Sequence, residues 1–411
     1  MKLHEHEAKE AFAAAGIPVP RSALAADAEG VAKAAREIGF PCVLKSQVLR
    51  GGRGKAGLIK VANTEAEARD TARTLFESAH NVKKVLVEEA VVIDREIYLS
   101  ITVDPVAAEA LVLACAEGGV EIEELAAKSP EKIVRERVSL AEGLLPYRAR
   151  NVAYALGLEG DVAKKTASVL EALWRVFRSN DAELAEINPL FVTKSGSIVA
   201  GDGKLALDDN ALFRHPGREP GRDYYDSAAA FEAAAEGIPY LQFDGDISLM
   251  CAGAGLTTVV YDLIVDEGGS IANYLEFGGP NYKKAVRAME LCLKNDPQVI
   301  LIVTFGTIAR ADIMAEGIAE AIGKLKPSCP IVACIRGTGE EKAVEILKAA
   351  GLEPLFDTEE AVRKAVAFAN KARANEARAR NARERKSDAA AGASTDTVPG
   401  SASGAAKEGT R

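Results

Sequence analysis

Glu186, Asn188 and Asp202 are the side chains whose types and spacing best suit chemistry. They sit in Glu186-Ile187-Asn188-Pro189-Leu190 and Gly201-Asp202-Gly203-Lys204. Between these segments run two β-prone stretches around Ser195-Gly196, the pattern of a hairpin. Folding about that turn sets Asn188 within about one residue of directly opposite Asp202, because cross-strand pairs keep a constant register. Glu186 and Asn188 are two apart and project from one face of their strand. A carboxylate, an amide oxygen and a second carboxylate therefore converge. All three are hard oxygen donors, suited to a Mg²⁺ ion that also holds nucleotide phosphates. The same residues also read as a polar, solvated hairpin face; a phosphate loop elsewhere in the chain favours the metal.

That loop is Gly51-Gly52-Arg53-Gly54-Lys55-Ala56-Gly57. It formally matches G-x-G-x-x-G, but a strand-like run follows where a dinucleotide fold requires a helix, and no Gly-Lys precedes a Ser or Thr as in a P-loop. What remains is a strand-to-strand loop offering backbone N–H groups, Arg53 and Lys55 to phosphates. Lys45, at a strand end upstream, is placed for the α/β-phosphates. Glu88, closing another strand, is placed for an adenine amino group or ribose hydroxyls. Each of these also reads as an ordinary exposed charge. A second glycine turn, Gly253-Ala254-Gly255, follows a strand and opens a helix, with Glu276 21 residues beyond Gly255. It lacks the third glycine of a dinucleotide site, and anion binding at the helix N-terminus is the reading it keeps.

The elements that must carry these residues divide into two patterns. Up to residue 235 the chain alternates short helices and strands irregularly: helices near 5–15, 28–38, 64–78, 148–156 and 161–178, and strands near 42–45, 58–61, 85–88, 96–104 and 110–116. A polar stretch, 128–137, interrupts them. From residue 246 strand and helix alternate strictly, with strands at 246–251, 271–276, 299–304 and 330–335. Such spacing predicts a parallel, doubly wound sheet. Its ligand-facing turns, Gly253-Ala254-Gly255, Gly278-Gly279, Phe305-Gly306-Thr307 and Gly337-Thr338-Gly339, fall at strand carboxyl ends. The expected domains are 1–235, 236–370 and a tail, 371–411. Residues 371–386 carry seven Lys/Arg against two Glu, and the Ala/Gly/Ser/Thr-rich remainder reads as disordered.

With 411 residues the chain is too long for one core. Its composition, 48% hydrophobic and 27% charged, is that of an ordinary globular protein, and a net charge of −9 argues against general nucleic-acid binding. No apolar run approaches a membrane span, and the N-terminus resembles neither a signal nor a transit peptide, so a cytoplasmic enzyme is expected. The six cysteines show no Cys-x-x-Cys spacing and read as small buried hydrophobes. Only His4, His6, His80 and His215 exist. A mechanism that needs a histidine beside the C-terminal half must take it from another chain.

Five blocks in order now carry a resemblance: Leu3-His4-Glu5-His6-Glu7-Ala8-Lys9, the 51–57 loop, Glu117-Gly118-Gly119-Val120-Glu121-Ile122-Glu123, Glu186-Ile187-Asn188-Pro189-Leu190 and Asp209-Asn210-Ala211-Leu212-Phe213-Arg214. From residue 3 to about 368 the chain resembles the β subunit of succinyl-CoA synthetase (succinate–CoA ligase). The resemblance implies an α/β protein: an N-terminal ATP-grasp domain followed by a flavodoxin-like, doubly wound ligase domain. It implies that Lys45, Gly52, Arg53, Gly54, Glu88, the backbone at Val91, and Glu96 contact ATP, and that Asn188 and Asp202 hold Mg²⁺. Glu186 matches the glutamate that steadies a phosphohistidine of a partner α subunit, which also carries the CoA site. The implied assembly is an αβ heterodimer or (αβ)₂. The implied reaction is ATP + carboxylate + CoA ⇌ ADP + phosphate + acyl-CoA, through phosphohistidine and acyl phosphate.

The departures lie in the acid-binding loops. The family's Asn-Gly-Ala-Gly is Ala252-Gly253-Ala254-Gly255 here, its Phe-Gly-Gly-Ile-Val is Phe305-Gly306-Thr307-Ile308-Ala309, and its Asp-Val-Gly-Gly-Gly is Glu276-Phe277-Gly278-Gly279-Pro280. Losing the Asn amide removes a carboxylate donor worth about 1.5–3 kcal/mol. Ala252, Thr307, Ile308 and Ala309 are thus the expected acid-site residues. The acid is succinate or a different one such as malate. An ATP-grasp ligase that activates a carboxylate for a different nucleophile, and a paralogue that binds nucleotide and an α-like partner as a regulatory module, are the remaining readings.

Overall fold

The computed structural model describes residues 1–49, 51–306 and 309–393, the last fifteen of these as backbone only. The chain forms two units, Met1–Tyr224 and Tyr225–Arg411. Thr307 and Ile308 lie outside the described residues.

The first unit opens with α1 (Glu5–Ala14). A small sheet follows, built from β1 (Ser22–Ala25), α2 (Ala28–Ile38), β2 (Cys42–Ser46), β3 (Ile59–Ala62), α3 (Glu65–Phe76) and β4 (Val85–Glu89). Its antiparallel strand order is β1-β4-β2-β3. α2 starts where the Asp27 carboxylate accepts the Gly30 N–H at 2.7 Å, and it ends at Gly39, whose φ of +101° stops the helix. Its Val31, Ala34 and Ala35, one helical face, pack with Val85 and Val87 of β4. α3 is capped by Thr64, and Glu67 returns its carboxylate to the Asn63 N–H at 2.8 Å.

A larger sheet comes next in the chain: β5 (Ile93–Asp104), β6 (Glu109–Cys115), α4 (Ile122–Lys128), β7 (Val134–Val138), α5 (Pro146–Ala155), α6 (Gly160–Ser179), β8 (Ala182–Thr193), β9 (Ile198–Ala200) and β10 (Lys204–Leu207). The order is β10-β8-β5-β6-β7, with β9 also on β8. α1 and α6 bury Phe12, Leu170, Leu173 and Phe177 with Leu99, Ile187 and Leu190 of the sheet. β7 lies in the stretch read as polar. It is an edge strand whose Arg135 and Arg137 point to water while Val134, Glu136 and Val138 turn inward, so charge masked its alternation.

The second unit holds α7 (Ala228–Ala235), β11 (Tyr240–Gln242), β12 (Ile247–Cys251), α8 (Ala254–Asp266), β13 (Ile271–Glu276), α9 (Ala285–Leu293), β14 (Val299–Gly306), α10 (Ala311–Leu325), β15 (Ile331–Gly337), α11 (Glu340–Ala349) and α12 (Thr358–Ala393). The order β11-β13-β12-β14-β15 contains four parallel strands arranged second, first, third, fourth, the flavodoxin-like pattern. Successive residues feed opposite faces: Met250 and Ile302 pack with α9 and α10, Leu249 and Leu301 with α8 and α12. β11, too short to register in the sequence pattern, adds an antiparallel edge to β13. α12 buries Ala361, Val362, Ala365, Val366 and Ala369, is mostly exposed over 371–378, and its backbone continues as helix to Ala393, into the stretch expected to be disordered; residues 394–411 of that tail lie outside the described residues. No described helix is long and apolar enough to cross a membrane. All six cysteines are free, and five are buried.

Candidate active site

One register runs through the hairpin. Leu190 pairs with Ala200 and Glu186 pairs with Lys204, so Asn188 and Asp202 fall at facing positions between the two ladders. The ladder opens there, with the Gly201 N–H on the Pro189 carbonyl at 2.9 Å. The glycines flanking Asp202 are steric necessities. A Cβ at Gly201 would lie 2.3 Å from the Phe191 ring, and one at Gly203 would lie 2.6 Å from the Phe12 ring. Relative to β5, β8 bulges between Ile187 and Leu190, which leaves Ile187 and Leu190 in the core and turns Glu186 and Asn188 to the other side.

Glu186, Asn188 and Asp202 line a cleft of about 300 Å³ together with Gly52, Arg53 and Gly54. The 51–57 loop joins two antiparallel strands, β2 and β3, as its sequence context required. Arg53 reaches Asp202 with Nη2 2.8 Å from both carboxylate oxygens, and its Nη1 lies 2.6 Å from Glu5. Behind it lies a buried ionic cluster. Lys45 sits 2.9 Å from Glu5 and 2.7 Å from Glu88, and Lys9 sits 2.9 Å from Glu5 and 2.5 Å from Glu88. Both lysines also donate to the Gly201 carbonyl, at 2.5 and 2.8 Å. Burial alone would raise the Glu5 carboxyl, but Lys45, Lys9 and Arg53 outweigh it and hold it well below the ordinary carboxylate range. Burial likewise disfavours the Lys45 charge, and Glu5 and Glu88 reverse that, so the ammonium is retained.

The nucleotide residues read from the sequence therefore divide. Gly52, Arg53 and Gly54 face the cleft. Lys45 and Glu88 are buried beside it, and the two Glu88 oxygens face lysines instead of the cleft. Val91 lies in the link from β4 to β5, where the chain passes from one sheet to the other. Glu96, on β5, supports the next loop: its carbonyl accepts the Gly118 N–H at 2.9 Å. Glu5 and Lys9 were missed as site residues, although their block was recognised. The available signal was a charged pair at i,i+4 on the helix face that also carries Ala8 and Phe12, where an unpaired charge would be costly.

The 117–123 block acquires a role from its contacts. The Gly119 N–H donates to Asn188 Oδ1 at 2.8 Å, and Asn188 Nδ2 donates to the Val120 carbonyl at 3.1 Å, so the loop orients the amide. A Cβ at Gly118 would lie 2.8 Å from the Ile97 nitrogen, and Gly119 adopts a φ of +72°, so both positions require glycine. Glu186 has its own support. The Tyr98 hydroxyl lies 3.0 Å from its Oε2 and 2.9 Å from Ser100 Oγ. Burial pushes the Glu186 carboxyl up from its ordinary value, with Lys204 and Tyr98 opposing.

For a metal, the donor set is one carboxylate and one oriented amide oxygen. Among the described residues no cluster of three or more His, Cys, Asp or Glu could hold an ion alone. By donor type Asn188 and Asp202 suit a Mg²⁺ ion that keeps waters and phosphate oxygens as its other ligands, not an all-protein cage, and Arg53 holds both Asp202 oxygens in this structure.

In the second unit the described residues of the turns named from the sequence, which leave out Thr307, gather at the carboxyl ends of β12 to β15. The Gly253 N–H donates to both Glu276 oxygens, at 3.0 and 3.2 Å, and the Tyr274 hydroxyl also bonds Glu276. Ala252 packs on Gly278, where a Cβ would come within 2.9 Å of its own. The carbonyl of Ala309 turns back on Gly306, and Gly306 pairs with Gly337.

A family model described as an ATP-grasp domain matches residues 2–192, and one described as CoA-ligase matches residues 250–368. Fold and sequence thus define a nucleotide-dependent CoA ligase with its grasp domain first. The ATP citrate lyase of Methanothrix soehngenii, solved with citrate and coenzyme A, shares this fold at a TM-score of 0.66 and 20% identity, covering 89% of this chain and 99% of that one. An ADP-forming sulfoacetate–CoA ligase subunit, SauC of Bilophila wadsworthia, is 62% identical over 369 residues, 90% of this chain and 99% of the relative. A second such subunit, SqwK of an Acholeplasma species, is 57% identical over 90% of this chain and 92% of its own. The succinate–CoA ligase [ADP-forming] β subunit of Herpetosiphon aurantiacus is 40% identical over 90% of this chain and all of its own. The chain belongs to the ADP-forming succinate–CoA ligase β-subunit family, on a branch with sulfoacetate–CoA ligase subunits.

Proposed function

We propose that this chain, paired with a histidine-bearing α subunit, joins CoA to a small sulfonated carboxylic acid, with sulfoacetate as the acid to test first. The observation that carries the choice is the identity of 62% to a sulfoacetate–CoA ligase subunit against 40% to a succinate–CoA ligase β subunit. The altered acid loops at Ala252, Thr307, Ile308 and Ala309 support it. A sulfonate offers three oxygens where a carboxylate offers two, and loops built for one are expected to differ for the other.

In this reading Arg53 and the N–H groups of Gly52 and Gly54 bind the phosphates, with Lys45 behind them. Glu88 serves the nucleotide through Lys45, while Val91 and Glu96 line its adenosine end. Asn188 and Asp202 hold Mg²⁺, which when bound neutralises charge on the phosphate oxygens. Glu186 accepts a hydrogen bond from the ring of the partner's phosphorylated histidine. CoA is held mainly by that partner. Six free cysteines support a reducing, cytoplasmic setting.

The test is ADP release by the chain coexpressed with its partner, given ATP, Mg²⁺, CoA and either sulfoacetate, succinate or malate. Turnover preferring sulfoacetate is the expected result. Preference for succinate or malate overturns the choice of acid. Nucleotide binding without turnover or histidine phosphorylation makes the chain a regulatory module.

A further inference from the structure

The buried cluster has a charge balance that bears on how metal and nucleotide bind. Three carboxylates (Glu5, Glu88, Asp202) face three cations (Lys9, Lys45, Arg53). The two ends of Arg53 differ. Its Glu5 partner is closed off, with that side chain 1% exposed, whereas Asp202 opens to the cleft at 27%. Asp202 already accepts Arg53 Nη2 on both oxygens, and its Oδ1 also accepts the Gly203 N–H at 2.7 Å. A carboxylate has about four lone-pair sites, so little acceptor capacity is left, and a cation there would meet the guanidinium.

We propose that Arg53 competes with the divalent cation for Asp202, and that a nucleotide phosphate relieves this competition by taking Arg53 Nη2, so that metal and nucleotide bind as a linked pair. The proposal rests on the nucleotide-site reading above. Arg53 turns about Glu5, the partner its Nη1 keeps, and its Nη2 exchanges Asp202 for phosphate oxygens, which accept a charge-assisted hydrogen bond equally well. Asp202 is then free to ligate the cation. A dication alone would leave the balanced cluster with excess positive charge beside its buried ion pairs. The same dication arriving with phosphates restores the balance. Glu5 is a positioning residue in this scheme: it touches neither metal nor phosphate, yet it holds both Arg53 and Lys45.

The experiment measures Mn²⁺ binding to the full chain by electron paramagnetic resonance, with and without a non-hydrolysable ATP analogue. In the parent chain Mn²⁺ alone binds weakly, and the analogue strengthens it. Arg53→Gln should bind Mn²⁺ alone about tenfold more tightly or better, the scale of one charge-assisted pair, while the strengthening by the analogue shrinks. Asp202→Asn should abolish tight Mn²⁺ binding with the analogue present. If Asp202→Asn leaves it intact, the metal-site reading fails and the exchange fails with it. If Asp202→Asn abolishes it but folded Arg53→Gln binds Mn²⁺ alone no better than the parent, the exchange alone is wrong. Should Arg53→Gln not fold, Arg53→Lys replaces it, since one ammonium cannot hold Glu5 and Asp202 through two separate nitrogens and is expected to tighten Mn²⁺ alone to a smaller degree; no tightening overturns the proposal. Glu5→Gln should weaken the analogue while leaving Mn²⁺ alone weak.

Discussion

Glu186 occupies a place that favours its neutral form, while the role proposed for it requires the anion. Burial raises its carboxyl, and Lys204 across the strand pair and the Tyr98 hydroxyl only partly compensate. The sign of the linkage follows. With the folded-state value above the ordinary 4.5, the stability that Glu186 contributes is fully present below 4.5 and is lost as pH rises through the folded value. At about pH 8 the ionised group therefore opposes folding. Glu186→Gln should raise Tm near pH 8, with a difference that disappears near pH 4, and it should abolish phosphohistidine formation from ATP. Calorimetry at the two pH values, beside a phosphohistidine assay, checks both halves. Phosphorylation that persists removes the role given to Glu186.

α1 does more than cover the large sheet. Its Ala8 and Phe12 enter the core, and Glu5 and Lys9, on the same face, carry the ionic cluster between β2 and β4. Such a pair contributes little net stability compared with apolar packing, but removing one member leaves the others uncompensated. Lys9→Met should cost about 3–5 kcal/mol, read as a lower denaturation midpoint. Adding Glu88→Gln should recover part of the loss, because the double change restores neutrality. A double-mutant cycle without coupling would show that the cluster does not act as a unit. The charged pair was visible in the sequence as i,i+4 spacing, yet its partners Glu88 and Gly201 lie 79 and 192 residues from Lys9, beyond any local pattern.

At the scale of the whole molecule, histidine supply decides where the chemistry can occur. His215 is the last histidine in the chain, and its Nε2 lies 2.8 Å from Asp181. The Arg214 guanidinium and His215 together push the Asp181 carboxyl down to about 2. That clasp closes the same block, Asp209 to Arg214, that helped to mark the family. With this histidine engaged and none following, the chain alone should acquire no phosphohistidine from γ-labelled ATP. Label should appear only when the partner subunit is added, and on that subunit, as gel separation followed by acid lability would show. Label on this chain would refute the division of labour.

The hairpin register, the strict strand–helix alternation from residue 246 and the failure of the 51–57 loop as a dinucleotide site were all legible in the sequence, because each depends on residues close together along the chain. The facing of Asn188 and Asp202 follows from counting out from Ser195-Gly196, and the structure reproduces it. The edge strands β7 and β11 were not legible, the first because charge hid its alternation and the second because three residues carry almost none. Tertiary structure alone decided that Glu88 faces two lysines, that the 117–123 loop orients Asn188, and that Arg53 joins Glu5 to Asp202. Local periodicity states which face of an element is buried but not what lies against it. The pairing of buried charges is set by desolvation, which acts only once distant segments have closed around them.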